Sequence, residues 1–400
     1  MIRMPILPPA RRGSKPAGSA QPVCASPDRR SLLGQALSTS LAAALATALG
    51  LPGRARAAAP AGDLAPAGEG ASDVAGGTTR DLPSDAAHPG AAERAAVAGH
   101  FQSLDLDFTD AARRRPVPLR LYLPEGPAPV PLLLFSHGLG GSRLGYSYLG
   151  QHLARHGVAS LHVQHVGSDR SLWSGAALTL LFRLREAAGE DEAMARVHDL
   201  RFALDQVLAE PRLAARLDAG RIVAAGHSYG ANTAMLAGGA RVLRQGRPLP
   251  LRDERLRGLL LLSAPPFHGE GDMGPVLGPV QLPSLHVTTT EDEIKVPGYH
   301  SDTADRLAVY QAMGSPRKAL AVFAGGSHSI FTDRLGPGGP ALNARVKAAT
   351  QDLTLAFLGE LFDLPGAPGL ADWRQRQGGL LAQFTEQRPA LPAARAASAA

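Results

Sequence analysis

Residues 221–237 read Arg-Ile-Val-Ala-Ala-Gly-His-Ser-Tyr-Gly-Ala-Asn-Thr-Ala-Met-Leu-Ala. The apolar run up to Ala225 has strand character, and Ala231 to Ala237 suit a helix. Between them Gly226, His227, Ser228, Tyr229 and Gly230 form a G-x-S-x-G pentapeptide. A serine on a tight strand-to-helix turn takes strained backbone angles, and the residues two before and two after it nearly collide. Glycine at both places removes the Cβ atoms that would clash. The strain lifts the hydroxyl above the sheet edge, where a histidine and a substrate can reach it. With 45 glycines in 400 residues, a pentapeptide alone is weak evidence, so the weight rests on its strand-turn-helix context.

Outward from this turn, short apolar runs alternate with helix-like segments. Leu104–Phe108 and Val117–Leu123 alternate as a strand pair would, and Val130–Phe135 is continuously apolar, as in a strand buried on both faces. A helix pattern covers Tyr146 to His156, and the next strand is Val158–Val163. Ser174 to Leu217 is helix-rich, with a strongly charged part from Arg183 to Arg196. Arg221–Ala225, Leu259–Leu262, Leu285–Thr289 and Ala319–Phe323 supply four more strands, and Ala341 to Phe362 a last long helix. This alternation predicts an α/β fold with a mostly parallel central sheet and helices on both faces.

A serine hydroxyl is a poor nucleophile at neutral pH and needs a base, which in turn needs an orienting acid. His328 is the base candidate. It follows the last apolar strand on the Gly-rich loop Phe323-Ala-Gly-Gly-Ser-His-Ser-Ile-Phe331, whereas His227 lies inside the elbow and His137 in a separate Gly-rich turn. The acid candidate is Asp292, in a loop with Glu291 and Glu293 at a strand end; Glu291 and Asp272 are the alternatives. The order Ser228, Asp292, His328 is the serine-acid-histidine order of one fold among several that use such a triad. Charge developing on a carbonyl oxygen needs preorganised N–H donors. Tyr229, directly after the serine, is expected to offer one. Leu139 is expected to offer the other, from Ser136-His-Gly-Leu-Gly-Gly-Ser-Arg143, where Gly138, Gly140 and Gly141 let the backbone fold close to a substrate. His165 and Trp173 lie beyond a parallel strand, on a segment expected to line the substrate pocket.

Over about residues 100–365 the chain resembles an α/β-hydrolase. SHGLGGSR at 136–143 paired with GHSYG is similar to the branch holding platelet-activating-factor acetylhydrolases and bacterial dienelactone-hydrolase-like or polyester-hydrolase-like esterases. The resemblance implies the same triad and the same two oxyanion donors. Three departures stand out. Ala231 replaces a second glycine, the nucleophile is serine rather than the cysteine of dienelactone hydrolases, and Tyr229 stands where polyester hydrolases often carry methionine. The expected function is cleavage of a small-molecule carboxylic ester through an acyl-enzyme, with no cofactor and no metal. An acyltransferase or peptidase on the same triad, or a catalytically silent binding protein on the scaffold, are the alternatives. His152 and His156 stand four apart, but Leu153 replaces the glutamate of H-E-x-x-H.

The ends of the chain have different compositions. Arg29-Arg30-Ser31-Leu32-Leu33 and the Ala/Leu-rich stretch to Leu51 resemble a twin-arginine signal, with Ala55-Arg56-Ala57 as the cleavage pattern. Residues 1–57 are therefore expected to be an export signal recognised by the twin-arginine machinery. Residues 58–98, rich in Ala, Gly and Pro, are expected to be a disordered linker. The catalytic domain is expected at 99–365, and a partly disordered C-terminal extension at 366–400. After cleavage near Ala57 the protein would be periplasmic or secreted, without stable membrane insertion. The formal charge of +6 is concentrated in the first 57 residues, which hold eight Lys/Arg and one acid; 33 basic and 34 acidic residues remain, a net charge of −1. That balance gives no electrostatic reason to expect nucleic acid as a partner. The single cysteine, Cys24, rules out an intramolecular disulfide, a Cys-ligated zinc site and a cysteine nucleophile downstream of it.

Overall fold

A computed structural model describes residues 99–296, 299–334 and 338–389. The expected signal (1–57) and linker (58–98) lie outside the described residues. Nine strands form one sheet: β1 (Phe101–Asp110), β2 (Arg115–Pro124), β3 (Val130–Ser136), β4 (Ala159–Val163), β5 (Leu217–His227), β6 (Leu256–Leu262), β7 (Ser284–Glu291), β8 (Lys318–Ser327) and β9 (Leu381–Gln387). Their spatial order is β1-β2-β4-β3-β5-β6-β7-β8-β9. From β4 to β8 every pairing is parallel, while β1, β2 and β9 run antiparallel to their neighbours. The order reverses between β3 and β5, because β3 crosses over to β4 on one side and β5 pairs on the other. In open α/β sheets, ligands bind at the carboxyl ends of strands at such a reversal.

The parallel strands alternate strictly between two cores. Leu132, Leu134, Ile222, Ala224, Leu259 and Leu261 face one way, toward α3 (Glu190–Ala209) and α4 (Tyr229–Ala237). Leu133, Phe135, Val223, Ala225, Leu260 and Leu262 face the other, toward α1 (Ser147–Arg155), α6 (Gly339–Phe362) and α7 (Leu370–Gln377). This is the period of two that a pleated strand imposes, read on a sheet covered on both faces. The short α2 (Leu180–Ala187) forms a satellite cluster in which Leu184 and Ala187 pack with Leu172, Trp173 and Leu139. Beside β7, α5 (Thr303–Ala312) starts at a reciprocal cap: Asp302 accepts from the Ala304 and Asp305 N–H groups, and Asp305 accepts from the Asp302 N–H.

The domain runs past the expected boundary at 365. Trp373 on α7 is wholly buried, its indole N–H donates to the Ala349 carbonyl at 2.9 Å, and β9 pairs along β8. Residues 366–387 thus complete the edge of the sheet. Few large apolar residues are needed there, because only one side of the added strand meets the core.

Candidate active site

Two backbones converge at the carboxyl ends of β3 and β5. After β5 the chain turns sharply, and Ser228 sits at φ 55°, ψ −122°. A Cβ on Gly226 would fall 2.1 Å from the Gly230 carbonyl oxygen, and one on Gly230 would fall 1.9 Å from that of Ser136. Glycine is the residue that fits at both places. Ser228 is half-buried, and His328, on the short 3₁₀ turn that follows β8, stands over it. The Ser228 hydroxyl lies 2.8 Å from His328 Nε2, and His328 Nδ1 lies 2.7 Å from Asp292 Oδ1. A carboxylate only accepts, so Nδ1 carries the proton and Nε2 is left to accept from the serine.

Asp292 follows β7 and is fully buried. Its other oxygen accepts from the Thr288 hydroxyl at 2.6 Å, and Arg306 of α5 donates to Oδ1 at 3.4 Å. Burial opposes ionisation of this carboxyl. The contacts with His328 and Arg306 outweigh it and hold the group well below the ordinary carboxylate range. The two alternative acids sit elsewhere: Glu291 is exposed, and the exposed Asp272 caps the Gly274 N–H at 2.8 Å.

His227, inside the elbow, acts as a strut. A carbonyl only accepts, so Nε2 donates to the backbone oxygen of His328 at 2.9 Å, and Nδ1 accepts from the Tyr146 hydroxyl at 2.9 Å. Burial, with His328 close by, pushes its pKa down to about 3, so the ring is neutral and holds this tautomer. Tyr146 in turn accepts from the Gly138 N–H at 3.4 Å. One chain of hydrogen bonds therefore joins the loop carrying His328 to the Gly-rich turn after β3.

That turn is tightly folded. Gly140 donates to the Ser168 carbonyl and Gly141 to that of Gly138. Trp173 donates from its indole N–H to the Gly140 carbonyl at 3.0 Å, and its ring lies so close that a Cβ on Gly140 would approach it to 2.4 Å. With Gly138, Gly140 and Gly141 so engaged, the Leu139 N–H and the Tyr229 N–H at the start of α4 remain uncommitted among the described residues. A Cβ on Gly138 would lie 3.4 Å from Ser228 Cβ, so the two donor segments abut at the serine.

His165 lies in a different place from the one expected. It is wholly buried behind the turn rather than lining a pocket, because both ring nitrogens have partners in the interior. Nδ1 donates to Asp199 Oδ2 at 3.0 Å, and Nε2 accepts from the Ser136 hydroxyl at 2.9 Å. This is a second Ser–His–Asp line with the same order of contacts. Ser136, His165 and Asp199 each have 0 % exposure, and the Ser136 hydroxyl also accepts from Arg196 at 3.0 Å. A carbonyl carbon has no approach to it. Asp199, in turn, receives Arg113 at 2.7 Å and Arg115 at 3.0 Å from the β1–β2 hairpin. Sequence reasoning did not find this line. Its one local signal is the spacing of Glu192, Arg196 and Asp199, which puts three charges on one helical face. Among the described residues, no group of three His, Cys, Asp or Glu side chains is arranged to hold a metal ion. No helix there is long and apolar enough to cross a membrane.

A serine on a strained turn after the fifth strand, a histidine after the eighth and a parallel sheet that reverses at the serine settle the architecture. The chain has the α/β-hydrolase fold. Residues 122–200 match the family model described as platelet-activating factor acetylhydrolase, isoform II. The match supports the branch of α/β-hydrolases to which the Gly-rich turn and pentapeptide were likened, and with it a hydrolase of the lipase and esterase type. The matched stretch runs from β2 through the Gly-rich turn into α3, and so contains Leu139, Trp173, His165 and Arg196 but not Ser228, Asp292 or His328. No curated protein matches the chain.

Proposed function

We propose that this α/β-hydrolase cleaves carboxylic esters through an acyl-enzyme on Ser228. The observation that carries the reading is the hydrogen-bonded line from Ser228 through His328 to Asp292, set beside two uncommitted N–H groups. Ser228 Oγ attacks the ester carbonyl carbon as His328 Nε2 takes its proton. The Leu139 and Tyr229 N–H groups receive the oxyanion. The tetrahedral species collapses, the carbon–oxygen bond to the alcohol breaks, and Nε2 gives the alcohol its proton. Water then attacks the acyl carbon, again through Nε2, and releases the acid and free Ser228. Asp292 holds the ring in the required tautomer and stabilises the imidazolium. Trp173, held against Gly140, borders the substrate pocket beside the Gly-rich turn. On this reading the protein acts on a small-molecule ester and reaches the periplasm or the medium by the twin-arginine route, with its signal removed near Ala57.

The Ser136–His165–Asp199 line has the same order of contacts but is buried beyond the reach of a substrate, and one experiment separates the two serines. The protein is incubated with a fluorophosphonate, digested, and the labelled peptide identified by mass, alongside hydrolysis of p-nitrophenyl esters of increasing acyl length. The expected result is a label on Ser228, with activity in the wild type and at least about 1,000-fold less in Ser228→Ala. A label on Ser136, or equal activity in Ser228→Ala, refutes the assignment. No label and no hydrolysis in the wild type would leave a binding protein on a hydrolase scaffold. A mixed ester formed in added alcohol would identify an acyltransferase.

A further inference from the structure

Arg196 on α3 is wholly buried, yet none of its hydrogen bonds goes to a carboxylate among the described residues. Nε donates to the Thr233 hydroxyl at 2.9 Å, Nη1 to the Ser168 hydroxyl at 2.8 Å, and Nη2 to Ser136 Oγ at 3.0 Å and to the His137 carbonyl. Its guanidinium also lies 4.4 Å from the centre of the Tyr229 ring. These partners belong to three segments. Ser136 and His137 lead into the turn that offers the Leu139 N–H. Tyr229 and Thr233 are the first turn of the helix that offers the Tyr229 N–H, and the Thr233 hydroxyl donates onward to the Tyr229 carbonyl at 3.1 Å. Ser168 supplies the carbonyl that fixes Gly140, at 2.8 Å.

We infer that Arg196 is the positioning residue of the oxyanion hole: its planar fork sets the spacing of the two N–H donors, and its charge sits behind them. The inference rests on the reading of Ser228 as nucleophile. A guanidinium is planar, has five donors in fixed directions and stays protonated in proteins. One rigid group therefore sets the relation between two backbone segments that arrive from different strands. The buried Ser–His–Asp line completes the seat, because His165, backed by Asp199, occupies the Ser136 proton and leaves the Ser136 lone pair to Arg196. Ser168 is held the same way, its hydroxyl donating to Glu192 at 2.7 Å. The nearby acids, Glu192 and Asp199, are themselves occupied by Arg115. The positive charge on Arg196 is thus not cancelled by direct contact, and it lies behind the two segments that carry the donors. An effect of this kind is felt in the transition state rather than in substrate binding.

The test uses Arg196→Met and Arg196→Lys, with thermal melting, fluorophosphonate labelling, kcat, KM and the inhibition constant of a trifluoromethyl ketone that forms a tetrahedral anion on the serine. Arg196→Met is expected to lower kcat by about 30- to 100-fold with KM changed less than about threefold. The inhibition constant should rise by the same factor as kcat/KM falls. Arg196→Lys keeps a charge but not the fork, and should lower kcat by about tenfold. Should Arg196→Met fail to fold, the lysine variant alone decides. A folded variant with wild-type kcat overturns the inference, as does a loss confined to KM or to temperatures near melting. A wild-type protein with neither hydrolysis nor label on Ser228 overturns the catalytic reading and this inference with it, whereas an active wild type with unaffected variants overturns this inference alone.

Discussion

Asp292 has no solvent contact, and three side chains hydrogen-bond to its carboxylate: His328, Thr288 and Arg306. Asp292→Asn keeps the shape and removes the charge. An amide that donates toward Nδ1 favours the tautomer with its proton on Nε2, which takes nothing from Ser228. Steady-state kinetics should show kcat lower by about 10³- to 10⁴-fold with KM little changed. A loss below tenfold would mean that Asp292 does not orient the base. At this scale much was legible. The pentapeptide, the Gly-rich loop at 323–331 and the acidic loop at 291–293 are local signals, and each sits where a strand ends. Asp292 is already the first candidate among the three adjacent carboxylates; what they do not disclose in sequence is that Asp292 is buried while Glu291 is exposed. His165 misled because its partners are distant: Ser136 lies 29 positions before it and Asp199 34 after. Arg196 was read within a charged stretch, since nothing local distinguishes a charge that faces solvent from one that faces a second helix.

At the scale of elements, the base depends on the last strand. β8 carries His328 at its carboxyl end, and β9 covers its free edge. Phe384 on β9 sits with its ring 5.8 Å from that of Trp373, and Arg374 lies over the same ring. Ending the chain before Leu381 would expose that edge and remove the Phe384 contact. Calorimetry should show melting about 5–10 °C lower, from a loss of about 2–4 kcal/mol of apolar burial, and kcat should fall as the loop at 328 loosens. Unchanged melting would mean that β9 is dispensable. The segment was read from sequence as a partly disordered extension for a physical reason. An edge strand buries one face only, so Leu381-Ala-Gln-Phe-Thr-Glu-Gln carries a single aromatic and no continuous apolar run. The central strands, buried on both faces, announce themselves as unbroken apolar runs, and those were legible.

At the scale of the molecule, the interior holds an unusual store of neutral histidines. Burial lowers the pKa of His162 to about 4 and of His227 and His286 to about 3, and holds His137 and His165 well below the ordinary value. Above pH about 6.5 these five are neutral whether the chain is folded or not, and they contribute no pH dependence. As pH falls below that value the unfolded chain binds protons that the folded chain refuses. Stability is therefore lost on acidification, by up to about 1.4 kcal/mol per pH unit for each histidine, until the folded pKa is reached. Urea midpoints should fall steeply between pH 6.5 and 4.5. His286 is buried on β7 with its Nε2 3.1 Å from the Ser284 hydroxyl and makes no hydrogen bond to Ser228, His328 or Asp292 among the described residues; His286→Gln should reduce that slope by about one proton. An unaltered slope would refute the assignment of His286 to this group. Composition gives the count of histidines but not their depth, and depth sets the effect.

From β5 onward the strands lie side by side in the order in which they are synthesised, β5, β6, β7, β8, β9. Each new strand thus meets its partner already in place. Ser228 leaves the ribosome first, Asp292 after β7, and His328 only with β8. On the catalytic reading, the nascent chain carries an ordinary alcohol until the penultimate strand docks, so hydrolysis begins only when synthesis of the domain is all but finished, and a product that stops before His328 is chemically silent.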